Sequence, residues 1–284
     1  MKLLKIIMRA FLPILLLTAI ITGCNTSRFN ASKTADRLAQ KHEFTKKLVK
    51  GGDFWFTTYQ KILDPSGPKV IYIEGDGKIM ANRYAISDNP TPTKPMLISL
   101  VFADPRPNVV YLARPCQYTP MEVNSQCNNT YWTNKRYSED SIEAINQAIN
   151  KISGNNKFEL VGYSGGGGVA VLIAARNKNT SSVLTIAANL DIDDFTKYHN
   201  SAPMVSSLNP IDYASSVKNV PQLHFSGGKD KIVPAFIGEK FTAKITTGCA
   251  RHEIIPEIEH AKYWQKYWGY ILNSNITCSA KNLE

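Results

Sequence analysis

The chain has 284 residues, with 33 Lys and Arg against 23 Asp and Glu, and its formal net charge is +10. Hydrophobic residues make up 43% of it and charged residues 20%, as in ordinary folded proteins, which excludes an intrinsically disordered chain or a coiled coil. The basic residues are not gathered into blocks interleaved with aromatic residues, so we expect no nucleic-acid partner.

The first 23 residues have the pattern of an export signal. Three basic residues and no acidic one precede an apolar stretch over residues 10–21, which is shorter than the roughly 20 residues needed to span a bilayer. The following Ile21-Thr22-Gly23-Cys24 resembles the lipobox of bacterial lipoproteins, in which the signal is cut before the cysteine and its thiol is acylated. The resemblance implies lipidation of Cys24 and a membrane anchor in the bacterial cell envelope. Because Asn25 follows the cysteine, it implies the outer membrane, facing the periplasm or the cell surface. An ordinary secretory peptide with a chance cysteine is the alternative.

Residues 24–33 are predicted to be a polar tether, and residues 34–284 a single α/β domain. A short helix over residues 34–41 comes first, then two strands flanking a Lys-Gly-Gly-Asp turn, which is a hairpin signal. Apolar runs then alternate with helical patterns. The runs, each predicted to be a buried strand, cover residues 70–73, 109–112, 158–161, 183–187 and 222–225. The helical patterns cover residues 95–102, 138–152 and 168–175. The alternation predicts a mostly parallel central sheet with helices on both faces, preceded by the antiparallel hairpin, and a small polar cap near residues 191–220.

The run at 158–161 leads into Gly162-Tyr163-Ser164-Gly165-Gly166 and then into a helical pattern. A G-x-S-x-G motif between a strand and a helix places its serine on a sharp turn, with the hydroxyl raised above the sheet. Glycines are needed two positions away on either side, because a side chain there would collide with the neighbouring strand or helix. A phosphate-binding loop is the alternative, but the lysine that a P-loop requires is absent. The motif predicts Ser164 as a nucleophile.

Over residues 54–268 the chain resembles the α/β-hydrolase family, in which nucleophile, acid and base follow in that order at the carboxyl ends of strands. The resemblance implies Asp230, in a Gly-Gly-Lys-Asp loop, as the acid and His260 as the base. These residue types suit the chemistry, because an imidazole must remove the serine proton and a carboxylate must fix the imidazole tautomer. Asp191, after the strand predicted at 183–187, is the rival acid.

The same resemblance implies an oxyanion hole of two backbone N–H groups. The first is the amide of Gly165, and the second belongs to the loop after the strand predicted at 70–73, with the amide of Asp76 favoured and that of Gly77 next. Family members often carry His-Gly where this chain has Glu74-Gly75. The side chain of Asp76 is predicted to be a turn residue without a catalytic role.

These residues predict a lipid-anchored serine hydrolase that cleaves a carboxylic ester of a small-molecule or acyl substrate through an acyl-enzyme. The chemistry requires no metal and no organic cofactor, and no cysteine or histidine spacing matches a zinc site. A peptidase, a thioesterase or an acyltransferase on the same triad are the alternatives within enzymes. A non-catalytic envelope binding protein with a hydrolase fold is the alternative from another class.

Four cysteines remain besides Cys24, an even number that suits an oxidising compartment. Four cysteines allow three pairings, and the chain positions favour Cys116–Cys127 and Cys249–Cys278. The first bridge would close a loop at the active-site end of the sheet. The second would hold a last predicted helix, near residues 263–272, beside a last predicted strand, near residues 252–255. Free buried thiols are the alternative.

Overall fold

The computed structural model describes residues 31–94 and 96–279, so the predicted signal, lipobox and Cys24 lie outside the described residues. The strands, in chain order, are β1 Thr45–Gly51, β2 Phe54–Ile62, β3 Lys69–Ile73, β4 Met80–Asn82, β5 Ala85–Ile86, β6 Asn108–Leu112, β7 Phe158–Tyr163, β8 Thr180–Ile186, β9 Gln222–Gly227 and β10 Ala250–Ile255. The helices are α1 over residues 31–41, α2 Met96–Val101, α3 Glu139–Ser153, α4 Gly165–Ala174, α5 Ile192–Tyr198, α6 Ala235–Ala243 and α7 Trp264–Leu272.

Eight of the strands form one sheet in the order β1-β2-β6-β3-β7-β8-β9-β10, and β4 and β5 pair separately. The β1–β2 and β2–β6 pairs are antiparallel, and every pair from β6 to β10 is parallel. The N-terminal antiparallel hairpin and the parallel sheet therefore both appear as the sequence predicts.

Helices cover both faces of the sheet, and alternate residues of each strand point to opposite layers. In β3, Ile71 and Ile73 pack in the core layer that includes α3, α4 and α6. Val70 and Tyr72 pack in the layer that includes α1, α2 and α7. Burial on both sides explains why β3 has no alternation of apolar and polar residues.

Three elements were not predicted from the sequence: α5, α6 and the β4–β5 hairpin. Helix α6 is only nine residues long and holds Gly238 in its middle, which weakens its helical pattern. The structure requires that glycine, because a Cβ on it would lie 2.6 Å from Nε2 of His252 in β10. The segment predicted as a cap contains α5 and a 3-10 turn, Pro210–Tyr213, and part of it is buried against the core.

Candidate active site

The turn between β7 and α4 holds Ser164 in a strained backbone conformation, with φ of 51° and ψ of −123°. The backbone around the two flanking glycines leaves no room for a side chain at either position. A Cβ on Gly162 would lie 2.4 Å from the carbonyl oxygen of Gly166, and a Cβ on Gly166 would lie 2.2 Å from that of Ile73 in the neighbouring strand. The local reason for the motif is therefore close backbone packing, as expected from the sequence.

The structure brings Ser164, Asp230 and His260 together at the carboxyl ends of three parallel strands. Nε2 of His260 lies 3.1 Å from Oγ of Ser164, and Nδ1 of His260 lies 2.7 Å from Oδ2 of Asp230. The other oxygen of Asp230 accepts the backbone N–H groups of Ile232 and Val233, and its side chain is fully buried. This chain of contacts can orient an imidazole toward the serine hydroxyl.

The loop that carries His260 is tied to the nucleophile turn through its own backbone. The hydroxyl of Tyr163 donates to the carbonyl oxygen of His260 at 3.2 Å, and the indole N–H of Trp264 donates to the same oxygen at 2.9 Å. Tyr163 is the residue before Ser164, so one side chain spans from the nucleophile turn to the histidine loop. Neither role was predicted from the sequence, since an aromatic residue beside a motif has no distinctive pattern.

The rival acid, Asp191, does not reach the imidazole. Its side chain caps α5 by accepting the N–H groups of Asp193 and Asp194, and it forms an ion pair with Lys240 at 2.7 Å. Hydrogen bonds and that ammonium lower the pKa of Asp191 against the opposing effect of burial. These contacts give Asp191 a structural role at the start of α5.

The two amides predicted to form the oxyanion hole are both unengaged. Among the described residues, the N–H groups of Gly165 and Asp76 donate no backbone hydrogen bond. The loop after β3 that carries Asp76 is held by Gln117, whose amide nitrogen donates to the carbonyl oxygen of Gly75 at 2.9 Å. This loop, residues 75–79 and named the oxyanion loop, is therefore fixed in place with the Asp76 N–H free to donate.

Glu74 is buried at the position where the resemblance noted in the sequence would place a histidine. One carboxyl oxygen accepts the N–H of Gly75 at 2.8 Å, and the other accepts the hydroxyl of Tyr111 at 2.8 Å. Burial raises the pKa of Glu74 to about 7, although both hydrogen bonds and the nearby Arg114 act in the opposite direction. The carboxyl group of Glu74 therefore loses its proton near neutral pH, and it lies directly before the oxyanion loop.

The side chain of Asp76 has a role that was not predicted from the sequence. Its carboxylate oxygens lie 3.3 Å from Nη1 of Arg114 and 3.1 Å from Nη1 of Arg136, and both arginines are buried. Arg114 also donates to the carbonyl oxygen of Arg136. The only sequence signal was the position of Arg114, two residues beyond β6 at the carboxyl edge of the sheet. Asp76 is therefore the centre of a buried ion cluster as well as a turn residue.

Ser164 and His260 open into a cleft of about 370 Å³. Three parts of the chain form most of its walls. The first wall is the loop after β3 together with the segment after β5, the second is the nucleophile turn, and the third includes Phe195 of α5. Two lysines, Lys78 and Lys94, lie on the first wall. In the described residues, no group of three or more His, Cys, Asp or Glu side chains is placed to hold a metal ion. Nor does any helix in residues 31–94 or 96–279 have the length and apolar character to cross a bilayer.

The cysteines lie in the pairs that the chain positions favour. Cys116 is bonded to Cys127, and Cys249 to Cys278. Cys116 comes just before Gln117, so the first bridge lies beside the residue that holds the oxyanion loop. The second bridge joins the residue before β10 to the segment after α7.

Several solved structures share this arrangement of strands and helices. An esterase of Pyrococcus furiosus aligns with a TM-score of 0.54 at 12% identity, over 81% of this chain and 89% of that one. The chain has the α/β-hydrolase fold. An acylaminoacyl peptidase of Pyrococcus horikoshii aligns with a TM-score of 0.57 at 12% identity, over 81% of this chain and 39% of that one. A membrane phospholipase A described as a bacterial virulence factor aligns with a TM-score of 0.54 at 15% identity, over 94% of this chain and 99% of that one.

The predicted fold class is thus confirmed. Identities this low show a shared α/β-hydrolase fold and carry no activity from one protein to another. No protein-family model matches the sequence, and no curated protein matches it in sequence.

Proposed function

We propose that this protein is a serine hydrolase that cleaves carboxylic esters through an acyl-enzyme, with Ser164 as nucleophile, His260 as general base and acid, and Asp230 as the orienting carboxylate. The observation that supports it most is the continuous contact from Oγ of Ser164 through the His260 ring to Asp230, at 3.1 and 2.7 Å. These distances lie within hydrogen-bonding range, as proton transfer between nucleophile and base requires.

The proposed reaction has two halves. Nε2 of His260 takes the hydroxyl proton as Oγ of Ser164 attacks the ester carbonyl carbon, and the developing oxyanion accepts hydrogen bonds from the amides of Gly165 and Asp76. When the tetrahedral intermediate collapses, the carbon–oxygen bond to the alcohol breaks, and His260 returns the proton to the leaving oxygen. Water then attacks the acyl-enzyme, with His260 accepting its proton and delivering it to Ser164.

Labelling with a fluorophosphonate probe tests the proposal. Wild-type protein is expected to be labelled at Ser164 and to hydrolyse para-nitrophenyl butyrate, and Ser164→Ala to lose both, with kcat falling by several powers of ten. Ser181→Ala is the matched control, because Ser181 lies near the start of β8, at the amino ends of the parallel strands and away from the triad. Labelling that survives in Ser164→Ala would refute the assignment.

A peptidase remains the second candidate, because an acylaminoacyl peptidase is among the proteins of similar fold. An ester and an anilide with the same acyl group separate the two candidates. We expect the ester to be cleaved and the anilide to be left intact, and Ser164-dependent hydrolysis of the anilide would favour the peptidase.

We also propose that the mature protein is lipidated at Cys24 and anchored in the bacterial cell envelope, at the outer membrane. The proposal rests on the basic and apolar segments before the cysteine and on the Ile-Thr-Gly-Cys sequence. Residues 25–33 would then link the lipid to the folded domain.

A further inference from the structure

The wall of the cleft that carries the oxyanion loop is positively charged. Lys78 lies in that loop, two residues after Asp76, and Lys94 lies on the segment that packs against it. The two stretches are held together, because the backbone N–H of Lys78 donates to the carbonyl oxygen of Pro90 at 2.9 Å. Both lysines therefore belong to the same wall as the Asp76 amide.

Neither ammonium group has a partner among the described residues. Within the part of the chain that the structure describes, no ion pair or side-chain hydrogen bond involves Nζ of Lys78 or Lys94. Lys78 is half-buried and Lys94 is exposed. Lys240, by contrast, is paired with Asp191 and Asp194.

The acidic residues of the cleft do not neutralise these lysines. Among the residues that line it, the carboxylic acids are Glu74 and Asp76. Asp76 already has two arginine partners, Arg114 and Arg136. Glu74 is buried behind the loop, where burial raises its pKa to about 7 and its oxygens accept other donors. A cleft lined with uncompensated charge of one sign attracts ligands of the opposite sign.

We propose that the substrate is an ester that carries an anionic group, a carboxylate or a phosphate, and that Lys78 and Lys94 bind this group while the ester carbonyl lies at Ser164. This inference rests on the proposed hydrolase function and names its substrate class. The lysines are specificity-determining residues, and they are expected to act mainly on KM because the substrate anion is present in the ground state and in the transition state alike.

Two pairs of esters test the proposal and separate the two kinds of anion. The first pair is para-nitrophenyl pentanoate and mono-para-nitrophenyl glutarate, in which a carboxylate replaces the terminal methyl of the acyl chain. The second pair is dihexanoylglycerol and its phosphate, dihexanoyl phosphatidic acid, which places the anion in the alcohol half. The measured quantity is the ratio of kcat/KM for the anionic ester to that for its neutral partner, in wild type, Lys78→Gln, Lys94→Gln and the double variant.

We expect each single substitution to lower this ratio about threefold to fivefold in one of the two pairs, and the double substitution about tenfold, as loss of partly exposed ion pairs should. Raising the salt concentration from about 0.05 to about 0.5 M should lower the wild-type ratio as well, because it screens exposed charges. Lys178→Gln is the matched control, since Lys178 is an exposed lysine just before β8, at the far edge of the sheet, and its substitution removes the same charge.

The proposal is overturned if the double variant keeps the same ratio as Lys178→Gln for both ester pairs. That outcome differs from a failure of the proposed function, in which wild type would show no Ser164-dependent hydrolysis of either neutral ester.

Discussion

The carboxylate of Asp76 lies directly against the α-carbon of Gly165. A Cβ on Gly165 would come within 2.0 Å of Oδ1 of Asp76, and that carboxylate cannot swing away without leaving Arg114 and Arg136. Asp76 and Gly165 each supply an amide of the proposed oxyanion hole. The contact between them therefore fixes the distance between the loop after β3 and the nucleophile turn. It also brings a negative charge near the site where negative charge develops, and the two guanidinium groups offset that charge.

Gly165→Ala should therefore damage the site. The added methyl must displace Asp76, which moves one oxyanion donor, and loss of such a donor lowers kcat about a hundredfold or more. Gly269→Ala is the matched control, because Gly269 lies in α7 and a Cβ added to it would meet nothing within 4 Å. The control should keep full activity and gain about 0.5–1 kcal/mol in free energy of unfolding. Equal kcat values for the two variants would contradict the packing argument.

Asp230→Asn should lower kcat by about four powers of ten while leaving the fold intact, because an amide no longer selects the imidazole tautomer that accepts the Ser164 proton. Asp191→Asn should leave kcat nearly unchanged. Its expected effect is on stability, since it removes one of the two carboxylate partners of Lys240 and the negative charge at the start of α5. Kinetics on para-nitrophenyl butyrate together with urea unfolding separate the two effects. A larger kcat loss for Asp191→Asn would assign the acid to the earlier strand.

Glu74 gives the stability of the protein a specific pH dependence. Its folded-state pKa is about 7 and its ordinary value is 4.5, so between these pH values the folded protein binds more protons than the unfolded chain. The free energy of unfolding should therefore fall as pH rises from about 4.5 to about 7, by about 3 kcal/mol from this group. Glu74→Gln, which cannot ionise, should remove that slope, as measured by urea unfolding at pH 5 and pH 8.

Glu122→Gln is the control for this experiment, because Glu122 is exposed. Its pH dependence should match that of wild type. If Glu74→Gln and Glu122→Gln show the same slope as wild type, burial of the Glu74 carboxyl does not perturb its ionisation.

The two disulfides should differ in their effect on activity. Replacing either bonded pair with serines should lower the free energy of unfolding by about 3 kcal/mol. Only the Cys116→Ser/Cys127→Ser variant should also lose kcat/KM, because Cys116 adjoins Gln117, which holds the oxyanion loop. The Cys249→Ser/Cys278→Ser variant serves as its comparison. Peptide mapping without reductant checks the pairing first, and a peptide that links Cys116 to Cys249 or Cys278 would show it to be wrong.

Cys24→Ser should abolish lipidation and move the protein from the membrane fraction to the soluble envelope fraction. Cell fractionation with an antibody against the folded domain measures the change, and metabolic labelling with a fatty acid measures acylation. Ser27→Ala, in the predicted tether, is a control that should stay acylated and membrane-bound. Retention of Cys24→Ser in the membrane would count against the lipobox.

Local sequence was sufficient to predict the parts of the site that depend on neighbouring residues. The glycines around Ser164 and the buried runs that became β3 and β7 carry their own steric and hydrophobic signals. Helix α4 begins at Gly165, three residues before the predicted start at 168, because a run of glycines hides the helical pattern.

Contacts between distant segments were the part that could not be predicted. Asp76 comes from the loop after β3, and Arg114 and Arg136 come from the two ends of the connection between β6 and α3. Nothing in the local sequence around any of the three selects the other two as partners. The raised pKa of Glu74 likewise depends on its burial beside Tyr111, which only the packed sheet reveals.

The double hydrogen bond to the backbone of His260 bears on the timing of the reaction. Tyr163 and Trp264 hold that carbonyl through contacts within the protein itself, so the position of the imidazole beside Ser164 does not depend on a contact with substrate. An enzyme built this way has no assembly step to wait for, so its inactivation rate should rise in proportion to fluorophosphonate concentration without levelling off. Tyr163→Phe removes one of the two hydrogen bonds to the His260 carbonyl. In this variant the inactivation rate should level off at high fluorophosphonate concentration.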